Sequence, residues 1–163
     1  MEKNMDNLSF LLPTPKNVVR GDGYVAADGF VVNGSAYDDC VYKSAVERLE
    51  NAVLFLDDNS KKLPVTLSIA NVCGSKADSY VLDVNSESAA ITANDMGGLY
   101  YGAITLTKLF DGKRIPLCHI EDWPDFAYRA QMIDVARLYY PLDELKKLVD
   151  VLERCKMNVL VCI

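Results

Sequence analysis

Histidine is almost missing from this chain: His119 is its only one. That excludes a histidine-rich metal site, and a Cys-His or Ser-His catalytic device could use only this residue. The five cysteines (Cys40, Cys73, Cys118, Cys155 and Cys162) are odd in number and never in C-x-x-C spacing. They read as reduced thiols rather than a disulfide frame or a zinc site. Neither G-x-G-x-x-G nor a G-K-[ST] sequence occurs, so Gly97, Gly98 and Gly102 do not announce a phosphate loop. Lys/Arg clusters are absent and the formal net charge is −6, which argues against nucleic acid, another polyanion or a membrane surface as partner. No apolar run approaches the ~20 residues of a membrane-spanning helix. The opening MEKNMDNLSF lacks a signal peptide's apolar core. If Met1 is the native start, a cytoplasmic location follows; otherwise the localisation stays unknown.

What is present is an ordinary globular composition, 50% hydrophobic and 25% charged over 163 residues, enough to bury a real core. Residues 1–10 are polar and read as a frayed tail. Leu11-Leu12-Pro13-Thr14-Pro15 is extended, because each proline pushes the residue before it away from helix. Val18–Arg20 and Phe30–Asn33 are strand candidates with Gly21-Asp22-Gly23 as the turn. Asn33-Gly34-Ser35 matches a glycosylation acceptor and equally a turn; without a signal peptide the turn is favoured. From Asp38 to Leu56 the pattern is helical, with Val41, Ala45, Leu49, Ala52, Val53 and Leu56 on one face and Asp57-Asp58-Asn59-Ser60 as its end. Val65–Ala70 alternates as a half-buried strand, and Tyr80–Val84 with Ala89–Thr92 makes a hairpin. Asp95 caps a second helix, Met96–Phe110, which is apolar almost all round and should lie deep against a sheet. Ile115–His119 is a last strand. The order ββαβββαβ predicts an α+β domain over 11–120, with two helices on one face of a mainly antiparallel sheet.

From Trp123 the reading is strand, helix, strand. Gln131–Ala136 is β-capable, with Arg137 at its C-terminal end. Pro141 opens a helix whose Asp143 and Glu144 favour the positive end of the dipole. Leu142, Leu145, Leu148, Val149 and Leu152 form one apolar stripe. Met157–Ile163 is an almost wholly apolar run, as expected of a strand covered on both faces. This is one βαβ unit over 121–163, too short for a complete (β/α)8 barrel of about 250 residues. Alternation places Ile133, Val135 and Arg137 on one face and Asp134 on the other. An arginine at a strand's C-terminal end is a fixed fork of donors, suited to carboxylates, phosphates or paired sugar hydroxyls, and equally a solvated or salt-bridged residue.

Three groups of residues, in order, carry a resemblance. Asp122, Pro124, Phe126 and Arg129 are followed by Met132, Asp134 and Arg137, then by Asn158 and Leu160. This pattern is similar to D-x-P-x-F-x-x-R-G, M-L-D-x-x-R and N-x-L at the start of the catalytic barrel of glycoside hydrolase family 20, the β-N-acetylhexosaminidases. Ala130 replaces the usual glycine and Leu138 the common histidine. LLPTPKNV also resembles the opening motif of the domain that precedes the barrel in that family. MGGLYYGAITLTKLF resembles its G-x-x-Y-G-x-x-T-L helix through Gly98, Tyr101, Gly102, Thr105 and Leu106.

The resemblance implies an accessory α+β domain followed by a truncated (β/α)8 barrel start. It implies removal of terminal N-acetylhexosamine from glycans by substrate-assisted retaining hydrolysis, with no cofactor and no metal. It assigns Arg137 to substrate binding, holding sugar hydroxyls; Asp134 belongs to the same motif, and its place on the opposite face of the strand makes it a supporting or structural residue. The catalytic Asp-Glu pair belongs to a later barrel strand, so no catalytic residue is expected here and the chain alone is expected to be inactive.

Asp143-Glu144 is not that pair, because a helix-dipole role explains it fully. Asp38-Asp39, Asp57-Asp58 and Glu121-Asp122 read as capping or solvated acids. His119 reads as structural, and Cys118 beside it should face the other side of the strand. A standalone carbohydrate-binding or scaffolding module is the alternative, as is a relative of the same layout that hydrolyses O-linked N-acetylglucosamine or α-glucuronides. An uncovered edge at Asn158–Cys162 would invite a homodimer, or else disorder after about Asp125.

Overall fold

The computed structural model describes residues 8–33, 37–52 and 60–163. The expected tail at 1–7, the turn at Gly34-Ser35, and Val53, Leu56 and Asp57-Asp58-Asn59 lie outside the described residues. Leu8 corrects the expected tail, since it is 3% exposed and joins the core, with Phe10 packed against that core. The chain divides into two compact units, Met1–Pro124 and Asp125–Ile163.

Unit 1 runs β1 (Asn17–Ala26), β2 (Gly29–Asn33), α1 (Cys40–Glu50), β3 (Lys62–Ile69), β4 (Tyr80–Val84), β5 (Ala89–Ala93), α2 (Met96–Leu109) and β6 (Arg114–Asp122). This is the predicted ββαβββαβ order. The six strands form one sheet in the order β1-β6-β4-β5-β3-β2. The sheet is mixed rather than mainly antiparallel: β1, β6, β4 and β5 pair antiparallel, whereas β5/β3 and β3/β2 pair parallel. The reason is α1, a crossover that returns the chain so that β3 starts at the same end as β2.

The expected turn at Gly21–Gly23 is also corrected. β1 continues through these glycines, with its register against β6 shifted between Arg20 and Tyr24. Gly23 has φ +96°, a conformation glycine adopts at no steric cost, and the irregularity absorbs it. The actual reversal is at Ala27-Asp28, where Asp28 accepts from the Lys61 N–H at 2.8 Å.

Side-chain alternation makes one face of the sheet the core. Leu63, Val65 and Leu67 of β3, Tyr80, Leu82 and Val84 of β4, and Ala89, Ile91 and Ala93 of β5 are buried there. α2 lies over β3, β4 and β5, α1 lies against β2, and the two helices pack on each other. α2 is therefore covered on more than one side, which is why it is apolar nearly all round. Leu99, Ile104, Leu106 and Leu109 are each 0% exposed, and each contributes about 1.5–3 kcal/mol of burial. A Cβ on Gly102 would sit 2.5 Å from Ile91 Cγ2, so the close approach of helix to sheet requires glycine there.

Asp95 caps α2 through the Gly98 N–H at 2.8 Å, and Asp39 caps α1 through the Val41 and Tyr42 N–H groups. α1 closes at Glu50, where the Asn51 N–H bonds back to Glu47 O at 2.9 Å.

Unit 2 holds β7 (Ala130–Ile133), α3 (Leu142–Arg154) and β8 (Val159–Cys162). β7 and β8 pair in parallel, Ala130 with Val159 through Ile133 with Cys162, so the predicted βαβ unit is present. β7 is shorter than the predicted Gln131–Ala136 strand. No residue of α3 is buried, and Val159, Leu160 and Val161 are only half-buried. The apolar stripe and the apolar strand exist, but among the described residues β8 is not covered on both faces.

Candidate functional site

The two ends of the parallel pair in unit 2 are built differently. At the strand starts, Arg129 and Asn158 form a latch. Asn158 Oδ1 accepts from the Arg129 N–H at 2.9 Å, and its Nδ2 donates to Ala127 O at 2.8 Å. Arg129 O accepts from the N–H groups of Asn158 and Val159, its Nε donates to Lys156 O, and its Nη1 donates to Phe126 O. These side chains are spent on backbone groups, so their part is to register β7 against β8.

At the strand ends the chain turns. β7 stops at Ile133, and Asp134 Oδ1 accepts from the N–H groups of Ala136 (3.1 Å) and Arg137 (2.9 Å), an Asx turn. Ile163 O accepts from Val135 N and Ala136 N, and Ile163 N donates to Ile133 O, so the turn is tied to the end of β8. Asp134 Oδ2 lies 3.3 Å from Arg137 Nε, with the arginine side chain 90% exposed and the aspartate 36%.

This corrects the strand alternation expected through Arg137. Asp134 and Arg137 do not stand on opposite faces; they are ion-paired across one turn. The strand ends early because the Asp134 side chain offers the next N–H groups a local acceptor in place of a ladder partner. Chemically the arrangement is an exposed guanidinium held at its inner nitrogen, able to donate paired hydrogen bonds to hydroxyls or an anion.

The remaining candidates resolve into structural roles. Glu144 pairs with Lys147 at 2.9 Å in the first turns of α3, and Asp143 sits in the same first turn. Asp38 pairs with Lys43. Asp122 is 7% exposed, accepting from Trp123 N and from the Tyr80 hydroxyl, which also bonds Thr105 Oγ1 at 2.6 Å. Burial drives the Tyr80 phenol well above its ordinary range, with the Asp122 charge adding to it.

Cys118 is buried, and burial pushes its thiol up to about 12, so it is no thiolate nucleophile. His119 lies on the open face of the sheet, Nδ1 2.6 Å from Asp83 Oδ1 and Nε2 3.7 Å from Glu121 Oε1. The hydrogen bond to Asp83 raises its imidazole above the ordinary value against the pull of partial burial. Among the described residues no group of three or more His, Cys, Asp or Glu is placed to hold a metal ion. Among the described residues no helix is long and apolar enough to cross a membrane.

Comparison with known proteins points one way. Residues 9–123 match the model of glycosyl hydrolase family 20, domain 2, and residues 126–162 match that family's catalytic domain. An N,N'-diacetylchitobiase of Vibrio harveyi is 32% identical over 158 residues, covering 92% of this chain and 18% of the relative. A beta-hexosaminidase 1 of Arabidopsis thaliana is 29% identical over 173 residues, covering 91% and 31%. Among solved structures, a chitobiase of Flavobacterium johnsoniae superposes with TM-score 0.70 at 29% identity, over 93% of this chain and 26% of that one. The chain thus spans between about a fifth and a third of the length of these relatives.

Proposed function

Because this chain belongs to glycosyl hydrolase family 20, we propose that the protein of which it forms part removes terminal N-acetylhexosamine from glycans. Unit 1 is the non-catalytic domain preceding the barrel, and unit 2 supplies the barrel's first strand, helix and second strand. In a (β/α)8 barrel the active site lies at the C-terminal ends of the parallel strands. The Asp134–Arg137 turn is at that end of β7. Arg137 grips hydroxyls of the terminal sugar with its outer nitrogens.

The reaction in such a site is substrate-assisted. The sugar's acetamido oxygen attacks the anomeric carbon while a protein acid protonates the departing glycosidic oxygen. Among the described residues Glu144, Asp38, Asp39 and Asp122 are engaged as described above and Asp143 sits in the first turn of α3, so none of these candidates takes that post. The chain's share is therefore to hold the sugar, and alone it does not cleave.

The observation that carries this reading is an exposed, ion-paired arginine at the C-terminal end of a parallel strand pair. Titrating N-acetylglucosamine against the isotope-labelled chain is the test. Chemical-shift changes at residues 134–140 that vanish in Arg137→Ala are expected. Changes that survive in Arg137→Ala would remove Arg137 from the subsite.

For the 163-residue chain by itself, the proposed protein partner is a second copy. β8 bonds only β7 among the described residues and α3 buries nothing, leaving Asn158–Cys162 as an edge for pairing. Light scattering should give a dimer; a monomer with protected β8 amides would refute this.

A further inference from the structure

We infer that Asp134 is the positioning residue for Arg137, acting on its backbone and its guanidinium at once; this rests on the reading of Arg137 as the sugar-holding arginine. An exposed arginine ordinarily samples many rotamers, and ordering it opposes binding. Here one carboxylate divides its two oxygens between two tasks. Oδ1 takes the N–H groups of Ala136 and Arg137, fixing where the Arg137 Cα sits. Oδ2 lies 3.3 Å from Nε, an ion-pair contact that biases the direction of the fork. The carbonyl of Ile163 holds the same turn from β8 through Val135 N and Ala136 N, so the platform is anchored to both strands.

With Arg137 90% exposed, the ion pair adds little stability, and its consequence is orientation. A carboxylate on the Nε side biases the guanidinium orientation and leaves its outer edge to a ligand with two adjacent hydroxyls. The two tasks separate chemically. An asparagine at 134 keeps an oxygen for the turn but loses the charge facing Nε; an alanine loses both.

The experiment uses the full 163-residue chain with uniform ¹³C and ¹⁵N labelling, comparing Asp134→Asn, Asp134→Ala and Arg137→Lys with the parent. In Asp134→Asn the Arg137 Nε resonance should lose the shift caused by the facing carboxylate charge, while β7 and β8 amides keep their protection. Asp134→Ala should in addition lose protection at Ala136 and Arg137. Arg137→Lys, which keeps the positive charge without Nε, should shift the Asp134 carboxyl carbon, a readout that leaves the turn acid in place. With N-acetylglucosamine as probe, Asp134→Asn should weaken binding about tenfold while Arg137→Ala abolishes it.

An Nε–H resonance unchanged in Asp134→Asn overturns the inference whatever the sugar does. Moved Nε–H resonances with sugar binding indifferent to Arg137→Ala uphold the positioning and refute the subsite.

Discussion

The two units answer the same kind of sequence signal in opposite ways. In unit 1 the apolar positions of β3, β4, β5, α1 and α2 meet each other, and Phe30, Leu49, Val65, Ile91 and Leu106 are all 0% exposed. In unit 2 an equally regular stripe on α3 is only partly covered, with Leu145, Leu148 and Leu152 half-buried and Leu142 64% and Val149 49% exposed. Amphipathic patterning states which face is to be covered; a second layer decides whether it is. Unit 1 contains its own second layer, since α1 and α2 close one face of its sheet. Unit 2 has one helix and two strands, the strands held in register by Arg129 and Asn158 at the start and by the Ile163 backbone at the finish.

The sharpest way to break that contrast is to hollow each unit in turn. Leu106→Ala should destabilise unit 1 by about 2–5 kcal/mol, the usual range for a buried leucine. Leu148→Ala in α3, only half-buried, should cost under about 1 kcal/mol in the same denaturant titration. Equal losses would mean that unit 2 has a core and that the contrast is false.

The latch supplies the next test. Asn158→Ala removes two side-chain bonds to backbone, together about 1–3 kcal/mol. Hydrogen exchange should then show β7 and β8 opening with the protection of unit 1 unchanged. Loss of protection in both units would show that they unfold as one. Asp95→Ala should reach unit 1 alone, costing about 1 kcal/mol, because Asp95 satisfies Gly98 N at the start of α2 and Asp78 N beside it.

The sequence disclosed the fold where local chemistry and packing agree, and misled where they part. Asp95 before Met96 marks a helix start by a side chain that caps in any context, and α2 begins there. The ββαβββαβ order followed from periodicity alone. Strand direction did not, because periodicity carries no direction; that β3 runs parallel to β2 depends on the crossover through α1. Gly21-Asp22-Gly23 reads as a turn by composition, yet β6 pairs across it and keeps it in β1. The end of α3 had no glycine to announce it: Lys156 takes φ +56° in its place.

At the site, Arg137 was visible as a residue type in a recognised motif. Its geometry was not, because alternation is a property of strands and β7 ends at Ile133, three residues short of the expected Ala136. The spacing D-x-x-R did hold the signal, since an Asx acceptor commonly bonds N–H groups two and three residues on.

The smallest expected effect lies on the open face of unit 1, where the contrast between the units nearly disappears. His119 on β6 faces Asp83 on β4 and Glu121 two residues along β6, with Asn17 of β1 bonding Glu121 and Val19 of β1 opposite the histidine. These groups are open to water, the imidazole 41% and the Asp83 side chain 55% exposed. Because the Asp83 hydrogen bond raises the folded-state pKa above the ordinary 6.5, the protonated pair stabilises the fold fully below that value. The contribution fades as pH rises through the raised folded value. Unit 1 should therefore unfold at a slightly higher denaturant concentration at pH 5.5 than at pH 8, and Asp83→Asn should shrink that difference. Salt at 1 M should shrink it as well, since charges this exposed are screened. A pH dependence of the same size in Asp83→Asn would assign it elsewhere, and would leave His119 with no electrostatic part in holding the sheet.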